Sequence, residues 1–146
     1  MASLPKPTAG LVIRYSYLWR SDYLRGLEEG QKDRPCAIVL VVKDELAGSR
    51  VTVLPITHLP PSRPDEAVEI PADTKHRLGL DEERSWVVLT EANRFLWPGP
   101  DIRRAIPGKQ DSFAFGELPY GLFVKIRAGF LLAASAKKAA MITRSE

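Results

Sequence analysis

Cysteine and histidine are scarce in this chain of 146 residues, which holds one cysteine, Cys36, and two histidines, His58 and His76. A single cysteine cannot form a disulfide within the chain, as is usual for proteins of a reducing compartment. Because Cys36 lies in the apolar run 36–42, we expect a core residue rather than a nucleophile. These few potential ligands spell out no zinc motif, and we expect no metal or other cofactor.

Sequence signatures of several other protein classes are missing as well. The chain has no glycine-rich phosphate loop and no Gly-x-Ser-x-Gly nucleophile motif. The apolar stretch at residues 129–136 is too short to span a membrane, and residues 1–7 lack the pattern of a signal peptide. We therefore expect one cytoplasmic domain over residues 1–146, with its core at about 10–135.

Positive charge is concentrated in the second half of the chain. The formal net charge is +3 and the sequence pI is about 9.1. Residues 1–73 hold nine Lys and Arg against ten Asp and Glu, whereas residues 74–146 hold twelve against eight. A basic half favours an anionic partner, most often a nucleic acid, although an ordinary, slightly basic soluble protein has the same balance.

The hydrophobic pattern predicts a mainly β domain that ends in one helix. Apolar and polar residues alternate at 10–19, and the unbroken apolar run within 35–43 indicates a strand buried on both faces. Further strands are expected at 50–56, 67–70 and 85–92, and a helix within 118–136. The pattern therefore predicts a small, strongly curved antiparallel sheet or barrel with the helix at its side.

Two polar segments are expected to meet at one end of this sheet. Lys32-Asp33-Arg34-Pro35 opens the buried strand, and Thr57-His58 closes the next strand. In a hairpin, the start of one strand lies beside the end of its partner. A guanidinium, a hydroxyl and an imidazole gathered there form a candidate phosphate-handling cluster, with His58 as the candidate for proton exchange. Such a cluster suits metal-free phosphoryl transfer within RNA.

These segments also carry a resemblance to a known family. In order along the chain come a glycine-led strand (Gly10-Leu11-Val12), Arg34-Pro35, Pro55-Ile56-Thr57, a Trp-Val-Val-Leu strand (86–89) and a helix start (118–123). Over most of residues 10–135 the chain resembles the MazF/PemK family of type II toxin–antitoxin endoribonucleases. The resemblance implies an SH3-like small barrel of about five to seven antiparallel strands with a C-terminal α-helix, and usually a homodimer.

The resemblance further implies an activity and the residues that perform it. Members of the family are growth-inhibiting toxins that cut single-stranded RNA without metal and leave a 2′,3′-cyclic phosphate, and cognate antitoxin proteins block their sites. Arg34 and Thr57 match the family's catalytic arginine and threonine. Glu29 stands where some members have a functional glutamate, and Glu91 falls near an acidic position of the PemK branch.

A wider RNA-binding surface is expected around these residues. Four basic residues are predicted to contact phosphates: Arg94, Arg103, Arg104 and Lys109. The last three lie in the long connection 98–116, which is of a length typical of functional loops. Trp97 is a candidate to stack a nucleobase, but a packing role beside Pro98 is equally compatible with the sequence. The predicted RNA-binding set also includes Lys32, Glu91 and Asn93.

Two other functions stay open on the sequence. A non-catalytic RNA- or protein-binding module on the same barrel fits the Pro-rich loop at 59–64 and Leu89, which stands where the PemK branch has arginine. An inhibitor of DNA gyrase, like the CcdB toxins, would need no phosphate-handling cluster. Arg34, Thr57 and His58 therefore favour the endoribonuclease over both.

Overall fold

The fold is built on one long antiparallel hairpin. The computed structural model describes residues 4–27, 30, 32–44, 46, 48–105 and 113–144. In chain order its elements are β1 (Leu11–Tyr15), α1 (Arg20–Leu24), β2 (Arg34–Asp44), β3 (Gly48–Thr57), β4 (Ala67–Glu69), α2 (Ala72–Leu78), β5 (Trp86–Val88), β6 (Glu91–Leu96), β7 (Ile102–Arg103), β8 (Ala114–Glu117), α3 (Tyr120–Ser135) and β9 (Ala140–Thr143). The hairpin consists of β2 and β3, whose register pairs Cys36 with Pro55.

The strands in the described part of the chain form one open sheet. Its main order is β4-β5-β3-β2-β1-β7. In addition, β6 pairs with β3, β8 pairs with β1, and β9 continues the sheet beside β6. Among these strands, every pairing is antiparallel except that of β6 with β9. Strands β1 and β3 each pair with three strands, but the sheet does not close, so it is barrel-like at most.

The expected fold class is confirmed: the domain is mainly β, and α3 lies within the predicted range 118–136. The described residues form nine strands rather than five to seven, because β7 and β8 lie in the predicted connection 98–116 and β9 follows the helix. The short helices α1 and α2 add to the single helix that the pattern predicts. Packing also continues to the buried Arg144, past the predicted core limit at 135.

Strand β2 is buried on both faces along its first half only. Its side chains alternate between two hydrophobic cores, with Ala37 in one and Cys36 and Ile38 in the other. Burial raises the pKa of the Cys36 thiol, which agrees with a core residue rather than a nucleophile. From Val42 onward the strand is exposed, so the predicted burial of residues 35–43 is wrong for the outer end of the hairpin.

Helix α3 covers one face of the sheet. It buries Phe123, Ile126 and Phe130, which recur at the spacing of an amphipathic helix. Leu131 and Leu132 stay exposed on its outer side. Among the described residues, no helix is both long enough and apolar enough to cross a membrane.

Candidate functional site

A cavity lies at one end of the central hairpin. Arg34 is the first residue of β2 and Thr57 is the last residue of β3. Continuing the register of Cys36 and Pro55 by two residues sets Arg34 opposite Thr57. Both residues line a cavity of about 320 Å³, and His58 lines it as well. The predicted meeting of Arg34, Thr57 and His58 is therefore confirmed.

The Arg34 side chain is held by an aromatic ring. Its guanidinium carbon lies 4.8 Å from the centre of the Trp19 ring, and Trp19 meets Tyr17 edge-on with ring centres 5.1 Å apart. Within the described part of the chain, Arg34 has no ion pair, and its buried Nε has no hydrogen-bond partner. The guanidinium therefore keeps its donors for an anion that enters the cavity.

Thr57 stands on the facing wall of the cavity. Residues 51–56 of β3 are buried, and Thr57 is the first residue after them to be partly exposed. Its Oγ1 accepts a hydrogen bond from the Leu59 amide at 3.2 Å. Because that bond uses the oxygen only as an acceptor, the hydroxyl hydrogen remains available for a group in the cavity.

His58 is held between two carboxylates. Its Nε2 lies 2.7 Å from Asp81 Oδ2, and its Nδ1 lies 3.3 Å from Glu83 Oε2. A neutral imidazole donates from one nitrogen only, whereas a protonated ring donates from both. Both ring nitrogens of His58 therefore face carboxylate oxygens, and the ring lines the cavity.

A buried lysine stands behind His58. Lys75 of α2 is 4% exposed, and its Nζ donates to Asp81 Oδ1 at 2.6 Å and to the Glu83 carbonyl oxygen. Partial desolvation by itself raises the pKa of Asp81, but the hydrogen bond and charge of Lys75, together with His58, hold that pKa below its usual value. Asp81 thus bridges Lys75 and His58 as an ionised carboxylate.

His58, Asp81 and Glu83 also have the donor atoms of a cation site. One ligand atom from each lies within 4.8 Å of the others. However, the Lys75 ammonium already contacts Asp81 and places a fixed positive charge beside these ligands. Since a metal ion would be repelled by that charge, the cluster fits ion pairing better than metal binding.

Cations outnumber carboxylates around the rest of the cavity. Arg14 and Lys32 line it beside Arg34, so Lys32 of the predicted RNA-binding set lies at the site. Asp33 is 3.9 Å from Arg14 Nη2 and 3.7 Å from Arg103 Nε, which are long distances for ion pairs. An anion that enters therefore meets an excess of positive charge.

Asn93, which was predicted to bind RNA, lies in the interior of the sheet. Its side chain is fully buried. The amide donates to the Leu18 carbonyl and accepts from the Leu18 amide, both at 2.9 Å, and it also accepts from Arg144 at 3.0 Å. The predicted RNA contact of Asn93 is wrong, because the fold leaves this side chain no exposed surface.

Glu91 and Trp97 have partners inside the fold as well. Glu91 Oε1 accepts hydrogen bonds from the Tyr17 hydroxyl and from the Arg20 amide, each at 3.0 Å. Trp97 is half-buried and stacks on Phe95 with ring centres 6.2 Å apart. These contacts support a structural role for Glu91, and they favour the packing alternative for Trp97.

The remaining predicted arginines do not line the cavity. Arg94 Nη2 donates to Thr143 Oγ1 at 3.1 Å on the strand pair β6–β9. Arg103 forms a 3.7 Å ion pair with Asp33, which lines the cavity. Arg104 is exposed beyond the end of β7, and its carbonyl oxygen accepts a hydrogen bond from Arg14 at 3.5 Å. Glu29 and Lys109 lie outside the described residues.

Sequence reasoning missed Trp19, Lys75 and Asp81. Trp19 is half-buried, and its ring faces Arg34. Lys75 lies in the polar run 73–77, whose composition indicates exposure. The sequence does contain one signal for Lys75. Gly79 is typical of a helix end, so it indicates α2 and places Lys75 one turn before the buried Leu78.

No protein-family model matches this chain, and no curated protein matches it in sequence. Its function is therefore inferred from the cavity around Arg34 and Thr57 and from the resemblance that the segments Arg34-Pro35 and Pro55-Ile56-Thr57 carry.

Proposed function

We propose that this chain is a metal-independent endoribonuclease that cleaves single-stranded RNA, and that it acts as the toxin of a type II toxin–antitoxin pair. The observation that supports this most is the meeting of Arg34, Thr57 and His58 at one cavity in which cations exceed carboxylates. Two of these residues also belong to the segments that resemble the MazF/PemK family. Together they offer charge, a hydroxyl donor and a proton carrier to one phosphate.

The proposed reaction is the attack of a ribose 2′-hydroxyl on the adjacent phosphorus. A bond forms from the 2′ oxygen to phosphorus while the bond from phosphorus to the 5′ oxygen breaks. The products are a 2′,3′-cyclic phosphate and a 5′-hydroxyl. One group must take the proton of the 2′-hydroxyl, and another must give a proton to the departing 5′ oxygen. The site therefore needs a base, an acid and a group that offsets charge on the phosphate.

Named residues of the cavity fill these roles. Arg34 offsets the negative charge that grows on the phosphate oxygens, with its planar guanidinium oriented by Trp19. Thr57 donates its hydroxyl hydrogen to a phosphate oxygen. His58, when protonated, gives the proton on Nδ1 to the 5′ oxygen after its 3.3 Å contact with the exposed Glu83 opens, while Nε2 stays on Asp81. Asp33, whose ion pairs are long, accepts the 2′ proton.

Cleavage of a labelled single-stranded RNA in EDTA tests this function. The wild type should release fragments that end in 2′,3′-cyclic phosphate, identified by mass spectrometry. Arg34→Ala should lose activity by about 100-fold or more, because it removes a charge-stabilising donor. Arg127→Ala, an exposed arginine on α3, is the matched control and should cleave at the wild-type rate.

Two results would overturn the proposal. One is a wild type that leaves RNA intact. The other is an Arg34→Ala variant that keeps the wild-type rate. Thermal unfolding followed by circular dichroism must accompany both measurements, so that lost activity is not confused with lost folding.

The resemblance extends the proposal to the partners. The active form is a homodimer, the commonest symmetric assembly, and a cognate antitoxin protein inhibits it. Sedimentation at micromolar concentration tests the first point, and a purely monomeric species would contradict it. For the second point, a small acidic protein encoded beside this chain should bind it and stop cleavage.

A further inference from the structure

Lys75 is enclosed by the fold almost completely, with 4% of its surface exposed. Lysine is rarely buried unless its ammonium is paired, because taking the charge out of water is unfavourable. An apolar side chain of similar length would fill the space beside the buried Thr74 and Leu78 without that penalty. Packing alone therefore does not account for an ammonium group at this position.

The ammonium ties α2 to the turn that follows it. Nζ of Lys75 donates to Asp81 Oδ1 at 2.6 Å and to the Glu83 carbonyl oxygen. The turn begins at Gly79, whose φ of +72° is the left-handed conformation common at helix ends. The Leu80 amide bonds back to the Lys75 carbonyl at 3.0 Å. Lys75 therefore holds the turn through both its side chain and its backbone.

The same turn reaches the proposed active site. Asp81 Oδ2 lies 2.7 Å from His58 Nε2, so one carboxylate bridges the lysine and the histidine. Glu83 faces the other ring nitrogen of His58 from the same turn, at 3.3 Å. Lys75, Asp81 and His58 all line the cavity that also holds Arg34. A displacement of Lys75 would therefore move Asp81 and, through it, the His58 imidazole.

We propose that Lys75 is a positioning residue for RNA cleavage, which keeps Asp81 charged and aimed at His58 so that the imidazole meets the 5′ oxygen in a fixed orientation. This role rests on the endoribonuclease function proposed above. It agrees with the direction of the Asp81 pKa, which desolvation raises and which Lys75, with His58, lowers. Without the lysine, desolvation would still raise the pKa of Asp81, and Lys75, the larger of the two influences that lower this pKa, would be lost.

Lys75→Met tests this role, with Lys125→Met on the exposed side of α3 as the matched control. Carbon-13 NMR titration of the Asp81 carboxyl, assigned with Asp81→Asn, follows its charge without any RNA. We expect the pKa of Asp81 to rise in Lys75→Met and to stay unchanged in Lys125→Met. In cleavage assays, kcat should fall by about 100-fold with little change in KM, the effect expected from misplacing a reacting group by about 1 Å.

The pH profile separates positioning from a general loss of structure. Because Asp81 must be ionised to hold His58, the acid limb of the kcat profile should move to higher pH in Lys75→Met. Removing one partner of a buried ion pair is destabilising, so Lys75→Gln, which keeps an N–H donor without the charge, is measured alongside. Thermal unfolding shows which variant is folded.

Distinct outcomes overturn the two proposals. If Asp81 keeps its low pKa in a folded Lys75→Met or Lys75→Gln variant, or if the acid limb does not move, Lys75 has no positioning role. If the wild type cleaves no RNA, the endoribonuclease function fails, and the Asp81 titration still decides whether Lys75 holds the carboxylate. If the wild type cleaves RNA but the acid limb of the kcat profile does not move in Lys75→Met, the positioning role of Lys75 is rejected and the endoribonuclease function is retained.

Discussion

Arg34 stacks on Trp19, with its guanidinium carbon 4.8 Å from the centre of the indole ring. Such a cation–π contact contributes about 0.5–1 kcal/mol at an exposed site and more where water is excluded. Tyr17 supports the indole edge-on, and its hydroxyl donates to Glu91 Oε1 at 3.0 Å. Burial, and then Glu91, raise the pKa of Tyr17, so the hydroxyl keeps its proton. The orientation of the Arg34 guanidinium thus depends on the Trp19 ring and on the contact of Tyr17 with that ring.

Removing the aromatic face should therefore slow cleavage. We expect Trp19→Leu to lower kcat by about 10-fold, from the lost cation–π contact and the looser orientation of Arg34. Trp19→Phe keeps an aromatic face and should lose less. Trp97→Leu is the control for lost aromatic packing, since Trp97 stacks on Phe95 and does not line the cavity. Equal kcat values for Trp19→Leu and Trp19→Phe in steady-state assays would contradict this role of the ring.

The hydroxyl of Thr57 gives a second test with nearly isosteric variants. Thr57→Val keeps the shape of a half-buried side chain and removes only the donor. We expect its kcat to fall by about 100-fold, which is typical for the loss of one donor to a charged transition state. Thr57→Ser keeps the hydroxyl and should retain most of the activity. Wild-type kcat in Thr57→Val would mean that the hydroxyl does not contact the reacting phosphate.

The central hairpin was predictable because its signal is local. The apolar run at 36–42 and the alternating segment 50–56 flank a turn with Gly48, and neighbouring strands of this kind usually pair. The strands that were not predicted are short or have distant partners. β7 and β8 pair with β1 over a few residues only, and β9 joins β6 in parallel after the whole of α3. Segments of two to four residues carry no measurable periodicity.

The candidate site likewise contains residues whose meeting could be predicted from the sequence and residues whose meeting could not. Arg34 and Thr57 face each other across the hairpin, so an antiparallel register alone predicts their meeting. Lys75 and Asp81 reach His58 because β5 pairs with the end of β3, with Val87 opposite Ile56. That pairing depends on three-residue strands and brings the preceding turn beside the cavity. Sequence patterns did not reveal it, since Lys75 and Asp81 read as ordinary surface charges.

Arg104 offers a test of the predicted contact with RNA phosphates. It is exposed, with its guanidinium carbon 5.6 Å from the centre of the Phe113 ring. If it neutralises one phosphate of a single strand, Arg104→Gln should reduce the slope of log K against log salt concentration by about 0.7. Fluorescence anisotropy with a non-cleavable 2′-deoxy oligonucleotide measures this slope. Arg127→Gln is the control, and the same slope in both variants would place Arg104 outside the RNA path.

The raised pKa of the Glu91 carboxyl predicts that the free energy of unfolding depends on pH, independently of any cleavage activity. Desolvation raises the pKa of its carboxyl, although bonds from the Arg20 amide and the Tyr17 hydroxyl oppose the rise. Because the folded-state pKa exceeds the unfolded one, the unfolded chain releases this proton first as the pH increases. The free energy of unfolding therefore falls between the ordinary glutamate pKa, about 4.3, and the raised value, and it stays lower above that window.

Glu91→Gln should consequently stabilise the protein at neutral pH. The glutamine oxygen can still accept from Tyr17 and Arg20, while the partly buried charge is gone. The advantage over the wild type should vanish as the pH falls below the ordinary glutamate pKa, because both side chains are then neutral. Urea unfolding across this range measures the difference, and Glu117→Gln, at the exposed last residue of β8, shows the effect of losing a surface charge. A Glu91→Gln variant that is less stable than the wild type at neutral pH would show instead that the ionised carboxylate is the better acceptor for Tyr17 and Arg20.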